Sequence, residues 1–269
     1  MTQAPTPVRP AAAAPAAGAV DRRTPWWSTA DAVYRLALAR GRVARGPLLF
    51  VATLQSVGIL VLLRGVVRHP DRATSAAIVA GGSILVVAFV ALNLLAQRFG
   101  AMRAGRSLDY FAALPVPVSA VVLGTAASYA TFTVPGALLT AVAGAAMFGL
   151  PFGQLWLVVP AVLASGVALA GVGAAVGLSL PRVELATMAG QLGMTAVLFL
   201  GLIPAGHLPL ALRGLRQAVP STYAVDVLAA GLRGSATPGG VLWRVAASLA
   251  YGAVTLALAA RAFRRAVAS

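Results

Sequence analysis

The sequence has no lysine and no cysteine, and only six of its 269 residues are acidic. Without lysine the chain has neither a Walker A loop nor an amine for a Schiff base. Without cysteine it forms no disulfide, no thiolate metal site and no thiol nucleophile. Its two histidines, His69 and His207, are far apart in sequence. These absences exclude a P-loop ATPase and indicate no metal or cofactor.

Charged residues make up only 10% of the chain and apolar residues 59%, whereas a soluble domain is roughly 25% charged. All 21 basic residues are arginine, and the net charge is +15. A basic soluble protein would suggest nucleic acid as a partner. Here the arginines gather at the ends of apolar segments, as the positive-inside rule and attraction to anionic lipid predict. The composition therefore indicates a membrane protein that contacts lipid and no nucleic acid.

The apolar segments predict an all-α integral membrane protein with about six transmembrane helices. Residues 1–25 are rich in alanine and proline and are expected to form a disordered cytoplasmic tail. Pro47 suits the start of the first span, and Pro135 predicts a kink or two half-helices in the third. The six-helix transmembrane domain is expected over residues 47–265, with spans at about 47–67, 73–97, 118–148, 155–180, 186–203 and 241–260.

An amphipathic helix is expected at residues 26–46, before the first span. Trp26 and Trp27 precede a sequence with capping-box spacing, Ser28 to Asp31, and apolar residues then alternate with arginines at helical spacing. Such a helix fits the membrane interface, with its tryptophans at headgroup depth. A solvated helix is the alternative interpretation.

The arginines also predict the orientation of the chain. If six spans alternate, 14 arginines lie on the side of the two termini and 6 on the other side, with Arg244 in the first turn of the last span. Because cytoplasmic loops carry the excess of basic residues, both termini are expected in the cytoplasm.

The predicted spans contain no acidic residue, which argues against a proton-coupled carrier. No catalytic motif is present, so the sequence offers no catalytic residues and indicates a protein that is not an enzyme. Asn93, Gln97 and Gln191 could line a substrate pathway, or they could tie helices together by hydrogen bonds. Gly173 and Gly177 form a GxxxG pattern, for which we expect a packing partner within the same chain.

Two further segments have distinctive sequence features. Between the second and third spans, residues 98–119 are basic and contain Leu114-Pro115-Val116 and Ser119. Before the last span, residues 204–240 are broken by prolines, and residues 221–233 have the spacing of a short amphipathic helix opened by Ser221. That segment includes Ile203-Pro204, Leu208-Pro209 and Pro220-Ser221-Thr222-Tyr223-Ala224-Val225-Asp226.

In this order of features the chain resembles the permease subunits of bacterial type 2 ABC exporters. In that family an interfacial helix precedes the first span, a cytoplasmic coupling helix joins the second and third spans, and a re-entrant outer hairpin precedes the last span. The resemblance covers residues 26–265. One departure is Gly124-Thr125, where relatives often carry Gly-Lys.

The resemblance implies a permease subunit in a bacterial plasma membrane, exporting a small hydrophobic, drug-like or lipid-like substrate. Its partners would be a separate ABC ATPase subunit and a second permease copy or a related permease. The implied ATPase-coupling loop contains Arg103, Arg106, Asp109, Leu114 and Pro115, and the implied outer gate contains Pro204, Leu208, Pro209, Pro220, Tyr223 and Asp226. The alternative from another class is a membrane anchoring or assembly protein without transport activity.

Overall fold

A computed structural model describes residues 26–40, 42–67, 70–105, 117–202, 214, 216–217 and 219–268 of the chain. All regular secondary structure in these ranges is helical. The helices are α1 (Trp26–Arg40), α2 (Arg42–Val66), α3 (Arg72–Val87), a π-helical segment (Ala88–Leu94), α4 (Leu95–Ala104), α5 (Val118–Phe148), a 3-10 turn (Leu155–Leu157), α6 (Val158–Ser179), α7 (Val183–Leu202), α8 (Ser221–Leu232) and α9 (Pro238–Ala268).

Six helical stretches within the described residues are long and apolar enough to cross a membrane. They confirm the expected fold class, an all-α integral membrane protein. Many large apolar side chains on their outer surfaces are exposed, including Phe50, Leu62, Leu192 and Leu242. In water such a surface would be strongly unfavourable, whereas in a bilayer these side chains contact lipid tails.

The central helix of the bundle is the continuous stretch formed by α3, the π-helical segment and α4. It is 33 residues long, and 89% of an 18-residue apolar stretch within it is buried inside the protein. Asp71 caps its start, because the aspartate carboxylate accepts a 3.0 Å hydrogen bond from the backbone N–H of Thr74. A helix that is apolar on every side can be buried on every side. Helices α2, α5, α6 and α7 pack against this one, while α9 packs mainly against α6.

Small residues allow the surrounding helices to approach the central helix closely. A Cβ on Gly173 of α6 would lie 2.5 Å from the carbonyl oxygen of Leu92, and a Cβ on Gly177 would meet the carbonyl oxygen of Ala96. The GxxxG pattern therefore packs within the chain, as expected from the sequence. On another side, Ser56 of α2 donates a hydrogen bond to the carbonyl oxygen of Gly82.

Several helix bounds differ from those expected. Helix α2 begins at Arg42, so Pro47 lies inside it, and α5 remains one helix through Pro135. Helix α9 continues to Ala268, well beyond residue 260. Helix α1 already includes Trp26, so Ser28 is not its N-cap. Apolar periodicity locates the membrane-spanning part of a helix, but it does not show how far the helix extends into the polar regions at either end.

Candidate functional site

The three amides proposed as a pathway or as helix ties form one hydrogen-bonded chain. The side-chain nitrogen of Asn93 donates to Gln191 Oε1 at 3.4 Å, and the side-chain nitrogen of Gln97 donates to Asn93 Oδ1 at 3.1 Å. Asn93 is buried at the end of the π-helical segment, Gln97 is half-buried on α4, and Gln191 is exposed on α7. The chain of amides therefore runs from the core to the outer surface of α7.

The backbone of α7 lies directly against this cluster. A Cβ on Gly190 would lie 2.9 Å from Asn93 Oδ1 and 3.2 Å from the Asn93 Cα. The absence of a side chain at Gly190 thus gives the Asn93 amide its space between the central helix and α7. These contacts are those of a helix tie, while a role of the amides in a substrate pathway stays a prediction.

Arg103, expected in the coupling loop, lies in the last turn of α4. One of its terminal guanidinium nitrogens donates a 2.5 Å hydrogen bond to the carbonyl oxygen of Leu178, near the end of α6. The last carbonyls of a helix lack partners within the helix, and an arginine at the C-terminus satisfies them favourably. Arg103 therefore joins the ends of the second and fourth spans. Arg106, Asp109, Leu114 and Pro115 lie outside the described residues.

The second region of interest is around α8, which the sequence predicted as a short amphipathic helix. Its predicted apolar face is buried, with Val225, Leu228, Ala229 and Leu232 each at most 5% exposed. Ser221 occupies the first helical position and does not cap the helix; its buried hydroxyl has no hydrogen-bond partner in the described part of the chain. Helix α8 packs against α3, α6, α7 and α9.

Of the residues expected in the outer gate, Pro220, Tyr223 and Asp226 lie at or within α8, and Pro204, Leu208 and Pro209 lie outside the described residues. The Tyr223 ring centroid is 6.0 Å from that of Trp243 and 6.0 Å from that of Tyr251, both on α9. The Tyr223 hydroxyl donates to the carbonyl oxygen of Gln217 at 3.1 Å. Tyr223 therefore packs between α9 and the turn that precedes α8.

Asp226 forms a two-point ion pair with Arg216, a residue not among the predicted site residues. The two terminal guanidinium nitrogens lie 3.2 and 2.6 Å from the two carboxylate oxygens. The side chain of Arg216 is 10% exposed and that of Asp226 is 35% exposed. Arg216 Nε also donates to the carbonyl oxygen of Leu200 at 3.3 Å. In the sequence, the only indication of this ion pair was the presence of an arginine and an aspartate ten residues apart in the proline-rich segment.

The turn that carries Arg216 is held against the start of α8. The hydroxyl of Thr222 lies 2.7 Å from the carbonyl oxygens of both Arg216 and Val219. Within the described residues no group of three histidine or acidic side chains could hold a metal ion. The polar groups of this region hold segments of the chain together, and the arrangement is that of a structural joint.

The fold and these polar contacts define a multi-pass helical membrane protein whose polar side chains join its spans to one another. In a comparison with known protein families, the sequence model of the family described as ABC-2 type transporter matches residues 38–232. The chain belongs to this family, and the resemblance to type 2 ABC permeases drawn from the sequence is confirmed. A search of curated proteins gave no match.

Membership of the family defines the coarse role of the chain. It is a membrane permease subunit of an ABC transporter, a transport component that is not itself catalytic. Permeases of this family generally work with an ABC ATPase. The matched region extends from the end of α1 to the end of α8, so it contains the amide cluster, Arg103 and the Arg216–Asp226 pair.

Proposed function

We propose that this chain is the permease subunit of an ATP-driven exporter that moves a small hydrophobic, drug-like or lipid-like molecule out of a bacterial cell. The observation that carries the proposal is the family match over 38–232, which takes in five of the six candidate spans and α8. Because the chain has no lysine, a separate ATPase subunit would supply the energy. The working unit would be two permeases, alike or related, with two ATPase subunits.

A hydrophobic cargo agrees with the interior of the bundle. The described core consists almost entirely of aliphatic and aromatic side chains and small alcohols. Its principal exceptions are the amides around Asn93 and the Arg216–Asp226 pair, and these polar groups already bond to one another. An interior of this kind offers few free partners to a strongly charged cargo.

The ATPase would act on the end of the bundle where α4 leaves the membrane, which the arginine distribution assigns to the cytoplasm together with both termini. At this end Arg103 connects α4 to α6 through its bond to the carbonyl oxygen of Leu178. A movement of the segment after α4 would reach α6 and the central helix through this contact. Pro220, Tyr223 and Asp226 would belong to the outer gate at the opposite end.

The test is export from intact cells that make both the permease and its ATPase. Cells loaded with a panel of hydrophobic dyes and drugs should lose at least one compound faster when the wild-type permease is present. Unchanged export of every compound, together with loss of another protein from the membrane when the permease is deleted, would favour an anchoring role.

The coupling contact has its own prediction. Arg103→Glu should reduce export by roughly 10-fold or more while leaving the amount of permease in the membrane unchanged, because it removes the bond to Leu178 and brings a carboxylate to the carbonyl end of α6. Arg98→Glu is the matched control, since Arg98 is exposed on the same helix. Pro115→Ala should also uncouple export. Normal export in both the Arg103 and Pro115 variants would contradict this role for the segment.

A further inference from the structure

Helix α7 lies alongside the central helix. Going along α7, Ala186 lies beside Gly100, Gly190 beside Asn93, Gly193 beside Leu92, and Gly201 beside Gly81. The two helices therefore run antiparallel, and Leu202, the last described residue of α7, is level with Gly81. Because the central helix begins at Arg72, about 14 Å of it extends beyond the described part of α7 at 1.5 Å per residue.

Helix α8 packs along this outer part of the central helix. A Cβ on Gly201 would lie 3.5 Å from Val225 and 3.7 Å from the Cα of Gly81, so α8 starts beside the end of α7. Gly231, near the other end of α8, lies against Leu157 and Gln154, which precede α6.

Arg216 lies at the junction of these two helices. Its Nε donates to the carbonyl oxygen of Leu200. The residue four positions later is Pro204, which has no backbone N–H to donate to this carbonyl. The two terminal nitrogens of Arg216 bind Asp226, in the second turn of α8. All three nitrogens of one guanidinium group are therefore used, and they connect the end of one helix to the side of the other.

The depth of this junction makes the contacts more important than they would be in water. Gly81 lies within the second candidate span, nine residues from its outer end, so the junction lies within the thickness of the bundle. A charged side chain that is buried there is expensive unless it is paired. Arg216, which is 8% exposed, has its charge balanced by Asp226.

We propose that α7 and α8 form one interrupted helical stretch alongside the central helix, and that Arg216 is the positioning residue that makes them move together. The inference rests on the proposed function, because the movement concerned is the one driven by the ATPase. A displacement of α7 begins at Val183, near the ATPase end, and it reaches α8 through the Leu200–Arg216–Asp226 contacts. The junction thereby connects nucleotide binding to the outer gate.

The absence of native cysteine allows spin labels to be placed at chosen positions. One pair of labels, at Phe199 and Ser235, reports the distance from α7 to the end of α8, and both residues are exposed. A second pair, at Ser235 and Trp156, reports the distance from α8 to the start of α6, and Trp156 is also exposed. Distances are measured by pulsed electron paramagnetic resonance on the permease with its ATPase, without nucleotide and after trapping with ATP and vanadate.

The wild type should keep a single narrow Phe199–Ser235 distance in both states, while the Ser235–Trp156 distance changes on trapping. Arg216→Gln should broaden the first distance and abolish the nucleotide response of the second. Exchange of the two residues, Arg216→Asp with Asp226→Arg, should recover part of that response. Arg233→Gln is the control, since Arg233 is exposed just beyond α8 and its loss removes the same charge.

A nucleotide-dependent Phe199–Ser235 distance in the wild type, or an unchanged response in Arg216→Gln, would overturn the inference. A merely structural role of Arg216 would broaden the first distance without removing the response of the second, and would also overturn it. Failure of the proposed function gives a different result: no ATPase binds, and nucleotide changes neither distance. The junction itself is then tested by the Phe199–Ser235 distance distribution alone, which must be narrow in the wild type and broad in Arg216→Gln.

Discussion

The close approach of α6 to the central helix makes Gly173→Ala an informative substitution. The new Cβ would lie 2.5 Å from the carbonyl oxygen of Leu92, 2.9 Å from that of Ala91 and 3.1 Å from the Cα of Leu92. All three atoms belong to the backbone, so no side chain can rotate away. The two helices would have to separate by about 0.9 Å to restore a contact of 3.4 Å. Overpacking of this kind costs about 1–3 kcal/mol.

Gly58→Ala provides the control for this prediction. Gly58 is also within a helix, but a Cβ there would meet nothing within 4 Å. Both substitutions gain the same helix propensity, roughly 1 kcal/mol, so the difference between the two variants isolates the packing cost. We expect Gly173→Ala to be less stable than Gly58→Ala by about 1–3 kcal/mol, measured by reversible unfolding in mixed micelles. Equal stability of the two variants would refute the close packing of α6 on the central helix.

Two further substitutions test other contacts. Gly124→Ala should release α1 from α5, because the new Cβ would lie 2.6 Å from the carbonyl oxygen of Ala30. If the contact between the two helices is weakened by about 1–2 kcal/mol, trypsin should cleave α1 roughly 5–30-fold faster. An unchanged cleavage rate would contradict the contact. Asn93→Leu removes both hydrogen bonds of the amide cluster and should destabilise the protein by about 1 kcal/mol in the same unfolding assay, with export retained if the amides serve as ties. Lost export at unchanged stability would instead favour a substrate pathway.

The number of spanning helices could be predicted from the sequence, because long apolar runs have few alternatives to crossing a membrane. The short helix at 221–232 was also predictable, since Val225, Leu228, Ala229 and Leu232 recur at helical spacing. The π-helical segment at Ala88–Leu94 was not predictable. Its apolar residues suit an α-helix equally well, and nothing in their spacing indicates the wider turn of a π-helix.

The polar contacts were less accessible to sequence reasoning than the spans. Asn93 and Gln97 share a helix face through their spacing, but nothing local indicated that Gln191 would complete the chain of amides. The pairing of Arg216 with Asp226 depends on the turn before α8, which brings together residues that no periodic pattern relates. Family resemblance identified Asp226 through its motif and left out Arg216, because the arginine lies outside that motif.

The central claim is that this permease works with a separate ATPase, and a mild-detergent pull-down from the native membrane tests it most directly. The account predicts that a soluble subunit with a Walker A motif is recovered with the chain and that the recovered complex hydrolyses ATP in a vanadate-sensitive manner. Repeated recovery of intact, abundant permease without any such subunit would contradict the account.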